Sequence, residues 1–105
     1  EYGGLSKTSP LDQTAHAQGG GSTPNSGATA TTVSANELVF AGAGFPYSYS
    51  GTAAAGGGYA LQQQDTATSR SVDEAEIVTA TGSYAGAFNL NSSANWSAVL
   101  ATFKP

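Results

Sequence analysis

The chain has 105 residues, a formal net charge of −4 and no cysteine, and Gly, Ala, Ser and Thr make up more than half of it. Its 3 cations are widely separated, which excludes the basic patch that binds nucleic acid or an anionic membrane surface. No apolar run approaches the ~20 residues of a transmembrane helix, so we expect no membrane span.

The supply of large apolar side chains is small, since Leu, Ile, Val and Phe together number 16. Charged residues are only 10% of the chain, so the composition favours β-structure with a thin core over a solvated coil. Ordering each residue costs roughly 1–2 kcal/mol of conformational entropy. We therefore expect further burial from upstream residues, a neighbouring copy or attached glycan.

The first half of the chain predicts the end of a strand at residues 1–5 and then three strands separated by turns and loops. Pro10 ends a turn, and a loop rich in Gly, with Pro24, interrupts the pattern further on. The continuous apolar third strand is typical of a strand buried on both faces. The three predicted strands cover residues 13–18, 28–33 and 37–43.

The second half predicts a small-residue loop at 51–58, a short strand at 59–64 and a polar loop at 65–73. Two further strands, 74–81 and 83–90, are predicted to form a hairpin around Gly82. In the second arm Tyr84, Gly86, Phe88 and Leu90 alternate with small or polar residues, which is the clearest two-residue period in the sequence. A buried strand over 96–103 closes the chain.

About seven short strands without helical periodicity predict an all-β fold, an antiparallel β-sandwich of the jelly-roll kind. The thin core and the abrupt start suggest that the sandwich is incomplete or is completed by a neighbouring chain. Residues 1–105 are interpreted as a single domain or as the C-terminal portion of one.

Three segments carry a resemblance to a known kind of domain. The chain resembles the C-terminal half of a jelly-roll or Ig-like β-sandwich domain found in secreted multidomain proteins of environmental bacteria. That resemblance implies a secreted β-sandwich of about twice this length, with no known active site to carry over. The segments are Glu1-Tyr2-Gly3-Gly4-Leu5 with Ser9-Pro10-Leu11-Asp12, Ser34-Ala35-Asn36-Glu37-Leu38-Val39-Phe40, and Asn95-Trp96-Ser97-Ala98-Val99-Leu100-Ala101-Thr102-Phe103-Lys104.

The titratable residues give no catalytic set. His16 lies four residues after Asp12, but the tight Gly-x-Ser-x-Gly turn that presents a serine nucleophile is absent, so we expect an ordinary loop histidine and no enzyme. Glu74 and Glu76 would share a strand face, either as solvated charges at a strand end or, with Asp73, as ligands of a calcium ion. We expect no other cofactor.

Tyrosines and asparagines supply the remaining candidates. Tyr47 and Tyr49 would project from one face of an extended segment, either into packing or an assembly interface or as a platform for a sugar ring. Trp96 is predicted to anchor the core. Asn91 and Asn95 each begin an Asn-x-Ser sequence, the acceptor pattern of N-glycosylation.

These observations favour an extracellular or cell-surface protein without catalytic activity. The first hypothesis is a structural or adhesive β-sandwich that associates with copies of itself through strand edges, as a surface or filament subunit. The alternative is a carbohydrate-binding module that holds a polysaccharide on exposed tyrosines.

Overall fold

The computed structural model describes residues 5–46, 49, 51–65 and 71–105. This part of the chain contains seven β-strands and no helix. The fold is therefore all-β, as the sequence predicts. The strands are β1 (Leu11–Gly21), β2 (Leu38–Gly44), β3 (Ala53–Ala55), β4 (Ala60–Asp65), β5 (Ser71–Ile77), β6 (Phe88–Leu90) and β7 (Ala94–Phe103).

Five of the strands form one antiparallel sheet in the order β1-β7-β2-β5-β4, and β3 pairs with β6 in a second, two-stranded sheet. An irregular segment, residues 22–32, widens the second sheet. Its backbone pairs with the segment that leads into β6, for example through Ser26 N–H to Gly86 O and Thr29 N–H to Tyr84 O, both 2.9 Å. The second layer is thus three segments wide and covers one face of the large sheet.

The core lies between these two layers. From the large sheet it receives the alternate residues of β2, β5 and β7 that point inward, among them Val39, Val72 and Leu100, and from the second layer Phe88 and Leu90. Small residues let the layers approach closely, because β2 contributes only alanine at its other two inward positions. We call this side of the large sheet the inner face and the opposite side the outer face.

The predicted strand at 28–33 does not form as a regular strand. This stretch bonds to its neighbour only at Thr29 and Thr32, and both side chains turn inward and are buried. The Thr29 hydroxyl bonds to the carbonyl of Ala30. Threonine hydroxyls thus compete with the regular ladder here.

The predicted hairpin around Gly82 is also wrong. The first arm is β5, which ends at Ile77 inside the large sheet, whereas the second arm crosses to the other layer and pairs with β3. The alternation of the second arm is confirmed, because Gly86, Phe88 and Leu90 are buried while Ser83 and Asn89 are exposed.

The two most apolar strands, β2 and β7, are enclosed by the second layer on the inner face only. On the outer face Leu38 is buried, whereas Val99 of β7 is 57% exposed and Phe40, Gly42 and Gly44 of β2 are half-buried. The prediction of a strand buried on both faces is therefore confirmed only at the Leu38 end of β2. Three other elements differ in extent from the prediction: β1 runs to Gly21, β3 lies inside the predicted small-residue loop at 51–58, and β5 begins inside the predicted loop at 65–73. The strand predicted at 1–5 lies outside the described residues except for Leu5.

Candidate functional site

The three carboxylates predicted as calcium ligands are not brought together. Glu74 and Glu76 lie on the inner face of β5, as the two-residue spacing predicts, but Asp73 pairs with Gly42 on the outer face. Among the described residues, no group of three or more His, Asp or Glu side chains could hold a metal ion. The alternative interpretation of solvated strand-end charges is wrong for Glu74, whose side chain is fully buried.

Glu74 joins the two layers of the sandwich. One carboxylate oxygen accepts a hydrogen bond from Gly56 N–H at 2.9 Å and the other from Ala87 N–H at 3.1 Å. Burial raises the pKa of Glu74 above its ordinary value, although these two bonds act in the opposite direction. Burial also raises the pKa of Glu76. Glu74 therefore acts as a buried clamp between the two layers at the β3 side of the core, while Glu76 is half-buried.

A second buried acid lies at the other end of the inner face. Glu37 is fully buried, and one of its oxygens accepts from Ser34 N–H at 3.1 Å while the other has no partner. Burial raises the pKa of Glu37, and the neighbouring Asp12 carboxyl raises it further. The Val33 N–H, 2.8 Å from Asp12, holds the pKa of Asp12 below its ordinary value. The pKa values of these two neighbouring carboxyls are therefore shifted in opposite directions.

Tyr49 is a core residue, which agrees with the packing alternative and not with an exposed platform for a sugar ring. The side chain is 4% exposed. Its hydroxyl donates to Thr52 O at 2.6 Å, and its ring packs at 5.1 Å from that of Phe45. A sugar ring has no access to this aromatic face. Tyr47 lies outside the described residues.

The remaining predicted residues lie at the surface or against the core. Asn91 and Asn95 are exposed, and the Asn91 side-chain oxygen accepts from Thr52 N–H at 2.9 Å. Trp96 packs against the core, as predicted. His16 is exposed in the middle of β1, so the prediction of a loop histidine is wrong, and the Asp12 carboxylate accepts a hydrogen bond from Val33 N–H.

The free edge of β1 is the longest unpaired strand edge of the large sheet. β1 has eleven residues, and among the strands that the structure describes it pairs only with β7, so none of them lies along its other side. Proteins commonly protect such edges with Lys, Pro or a bulge. β1 contains neither Lys nor Pro, and its one irregularity lies between Leu11 and Thr14, so the ladder from Thr14 to Gly21 is regular.

Hydrogen bonds at the sheet's end show which groups of β1 point outward. Lys104 N–H donates to Pro10 O at 2.8 Å, and the direction alternates along an antiparallel strand. By the register, Ala15 and Ala17 therefore bond to β7. The N–H and C=O groups of His16, and of the other residues that alternate with Ala15 and Ala17, point to the free edge.

Sequence reasoning missed both buried carboxyls and the length of β1. Glu37 precedes an apolar run and Glu74 stands in an acidic one, and neither context distinguishes a buried acid from a solvated one. The only usable signal was the alternation in β5, which places Glu74 on the same side as Val72. The Gly-rich end of β1 is typical of a loop by composition.

Comparisons with known proteins do not identify a family. No protein-family model, no curated protein and no solved structure matches this chain. In the part of the chain that the structure describes, no helix is long and apolar enough to cross a membrane.

Proposed function

We propose that this chain is a non-catalytic, extracellular structural β-sandwich whose copies associate through strand edges to build a surface layer or a filament. The observation that carries the proposal is the eleven-residue β1 with its unpaired, unprotected edge. An exposed row of N–H and C=O groups is a template for a further strand. A sheet with β1 at one edge and β4 at the other can extend from copy to copy in one direction.

The composition supports the same function. A chain of mostly small, uncharged residues has a thin core, so a strand contributed by a neighbour adds burial that the chain alone has little of. Lack of Cys and Met suits exposure outside the cell, since few side chains are open to oxidation. The sugar-binding alternative has lost Tyr49 as a platform and now depends on Tyr47.

The test is a proline placed where it affects the free edge alone. His16→Pro removes one outward N–H and places a ring against an incoming strand, while the bonds of Ala15 and Ala17 to β7 remain. His16→Ala is the matched control, because it removes the imidazole but keeps the N–H. We expect wild type and His16→Ala to form filaments or large oligomers by negative-stain electron microscopy and light scattering, and His16→Pro to lose them.

Two results would overturn the proposal. The first is a wild-type protein that shows neither filaments nor large oligomers over the whole accessible concentration range. The second is assembly that His16→Pro leaves unchanged, because association would then use a surface other than the β1 edge. Circular dichroism of each variant establishes that the sandwich is folded.

A further inference from the structure

The end of the sandwich where β1 and β2 finish and β7 begins carries two adjoining clefts. Their volumes are about 420 and 350 Å³, and sites for small molecules typically have roughly 300–1,000 Å³. Pro46 and Asn95 line both clefts and therefore join them. We call the joined region the end cleft, and its walls include Gln18, Ser93 and Trp96 as well.

The polar side chains of the end cleft are neutral and unengaged. Gln18 lies directly across from Ser97 in the β1–β7 ladder, and Asn95 lies two residues before Ser97 on the same face. Ser92 and Ser93, in the turn before β7, add two hydroxyls. Within the part of the chain that the structure describes, none of these five side chains makes a hydrogen bond and no charged residue lines the cleft. Their hydrogen-bonding capacity is therefore free for a neutral ligand.

Two glycines of β1 make room for side chains that line the end cleft. A Cβ atom on Gly20 would lie 3.2 Å from the Asn95 Oδ1 atom. One on Gly19 would lie 3.0 Å from Cζ2 of Trp96 and 3.4 Å from each of the two ring atoms bonded to Cζ2, so it would stand over the face of the ring. Both approaches are tighter than ordinary van der Waals contact, so a larger residue at either position would displace Asn95 or Trp96.

The chemistry of these walls fits a neutral sugar. Amide and hydroxyl groups donate and accept hydrogen bonds, as the hydroxyls of a sugar do, whereas a charged ligand would lose hydration here without gaining an opposite charge. The exposed Pro46 ring and the half-buried Trp96 indole supply apolar surface for the C–H face of a pyranose. A peptide strand is recognised instead through main-chain groups along a sheet edge, and the polar groups of the end cleft belong to side chains.

We propose that the end cleft binds a neutral polysaccharide, with one pyranose ring in each of its two parts. The Gln18 and Asn95 amides hydrogen-bond to the sugar hydroxyls, and Pro46 is the apolar wall on which a ring packs. The site needs no tyrosine platform. It is also independent of the edge pairing proposed above, so either can fail without the other. A subunit that holds glycan in this cleft attaches its assembly to an extracellular polysaccharide.

The first test uses the fluorescence of Trp96, because the chain has one tryptophan and this residue lines the cleft. Neutral hexasaccharides of glucose, xylose, mannose and galactose are titrated to about 10 mM, with hexagalacturonate as the anionic probe. We expect at least one neutral hexasaccharide to shift the emission and to saturate, and hexagalacturonate to leave the emission unchanged. The absence of a shift with every neutral probe would overturn the proposal, and so would equal binding of hexagalacturonate.

The second test removes one amide at a time. Asn95→Ala and Gln18→Ala should each raise the dissociation constant of the bound hexasaccharide about fivefold, which is the loss expected for one hydrogen bond. Asn89→Ala and Gln63→Ala are the matched controls, because both residues are exposed on strands that do not line the cleft. The controls should leave the dissociation constant unchanged.

Two variants on different strands guard against a folding defect in either one. The thermal midpoint establishes that each variant is folded, and light scattering of Asn95→Ala should match that of the wild type, since the cleft takes no part in edge pairing. Weaker binding by at least one folded variant, with both controls unchanged, is the expected outcome. If neither Asn95→Ala nor Gln18→Ala weakens binding, the sugar is held elsewhere and the proposal is wrong.

Discussion

Glycines on the two sides of the large sheet stand in opposite surroundings. In the layer over the inner face, a Cβ atom on Gly86 would lie 2.5 Å from the Cβ atom of Ala41, and one on Gly56 would lie 2.6 Å from Ala87 O. On the outer face, a Cβ atom added to Gly42 or to Gly44 would lie 3.7 Å from its nearest neighbour. Packing among the described residues therefore requires glycine at the first pair of positions and does not require it at the second pair.

The largest effect is expected at the inner side. Gly86→Ala forces the two layers apart at a close approach, since the new methyl group would lie 2.5 Å from the Cβ atom of Ala41, which moves only with its backbone. Overpacking of this kind typically costs about 1–3 kcal/mol, and a neighbour fixed to backbone places this site at the upper end. Urea unfolding at low protein concentration measures it.

Gly57→Ala is the matched control, because a Cβ atom there would meet nothing within 4 Å. Equal stability of the two variants would contradict the close packing of the layers. The difference between the two sides of the sheet would then lose its physical basis.

The sequence predicted the class of fold from alternation and turn residues, but not the partition of strands between layers. Alternation in residues 83–90 was sufficient to say which side chains are buried. Alternation carries no information on which strand lies alongside. The prediction therefore paired this segment with the strand that precedes it in sequence, across Gly82. The actual neighbours, β3 and residues 22–32, are set by long-range packing that no local pattern records.

The acidic residues of β5 show the same limit of prediction from a local pattern. Two-residue spacing correctly placed Glu74 and Glu76 on one face of β5, but which face is buried depends on where the second layer lies. Tyr49 was interpreted by its neighbours in sequence, whereas its burial follows from contacts with Thr52 and Asn91. The sequence therefore placed these side chains on a strand face but did not show which of them are buried.

A change of pH should alter stability through the carboxyl groups on the inner side of the sheet. We expect this effect to be smaller than that of Gly86→Ala and larger than that of Gly42→Ala. Burial raises the pKa of Glu37, Glu74 and Glu76 above the ordinary value, so their contribution to stability is complete below that value and is lost as pH rises through the folded-state pKa. Asp12 has a lowered pKa, so its contribution is present above its ordinary value near 3.8 and is lost as pH falls. Stability should be greatest in mildly acidic solution and lower at neutral and alkaline pH.

The measurement is the free energy of unfolding in urea between about pH 4 and pH 9. Glu37→Gln is permanently neutral and should flatten the loss on the alkaline side, since one of the three groups no longer gives up a proton. A wild-type protein whose stability rises steadily from pH 5 to pH 8 would show that these carboxyls are charged in the fold. The inner face would then tolerate charge as the outer surface does.

The smallest expected effect is a gain in stability, and it tests the outer face of the large sheet directly. Gly42→Ala adds a methyl group 3.7 Å from Val72 O and 4.0 Å from the Val99 side chain, and it restricts the unfolded chain. The isolated monomer should become more stable by about 0.5–1 kcal/mol. Gly19→Ala serves as the contrast, because its Cβ atom would lie 3.0 Å from the Trp96 ring and no gain is expected. If Gly42→Ala instead destabilises the monomer, the chain's own fold requires the glycine, and the contrast between the two sides of the sheet is wrong at this position.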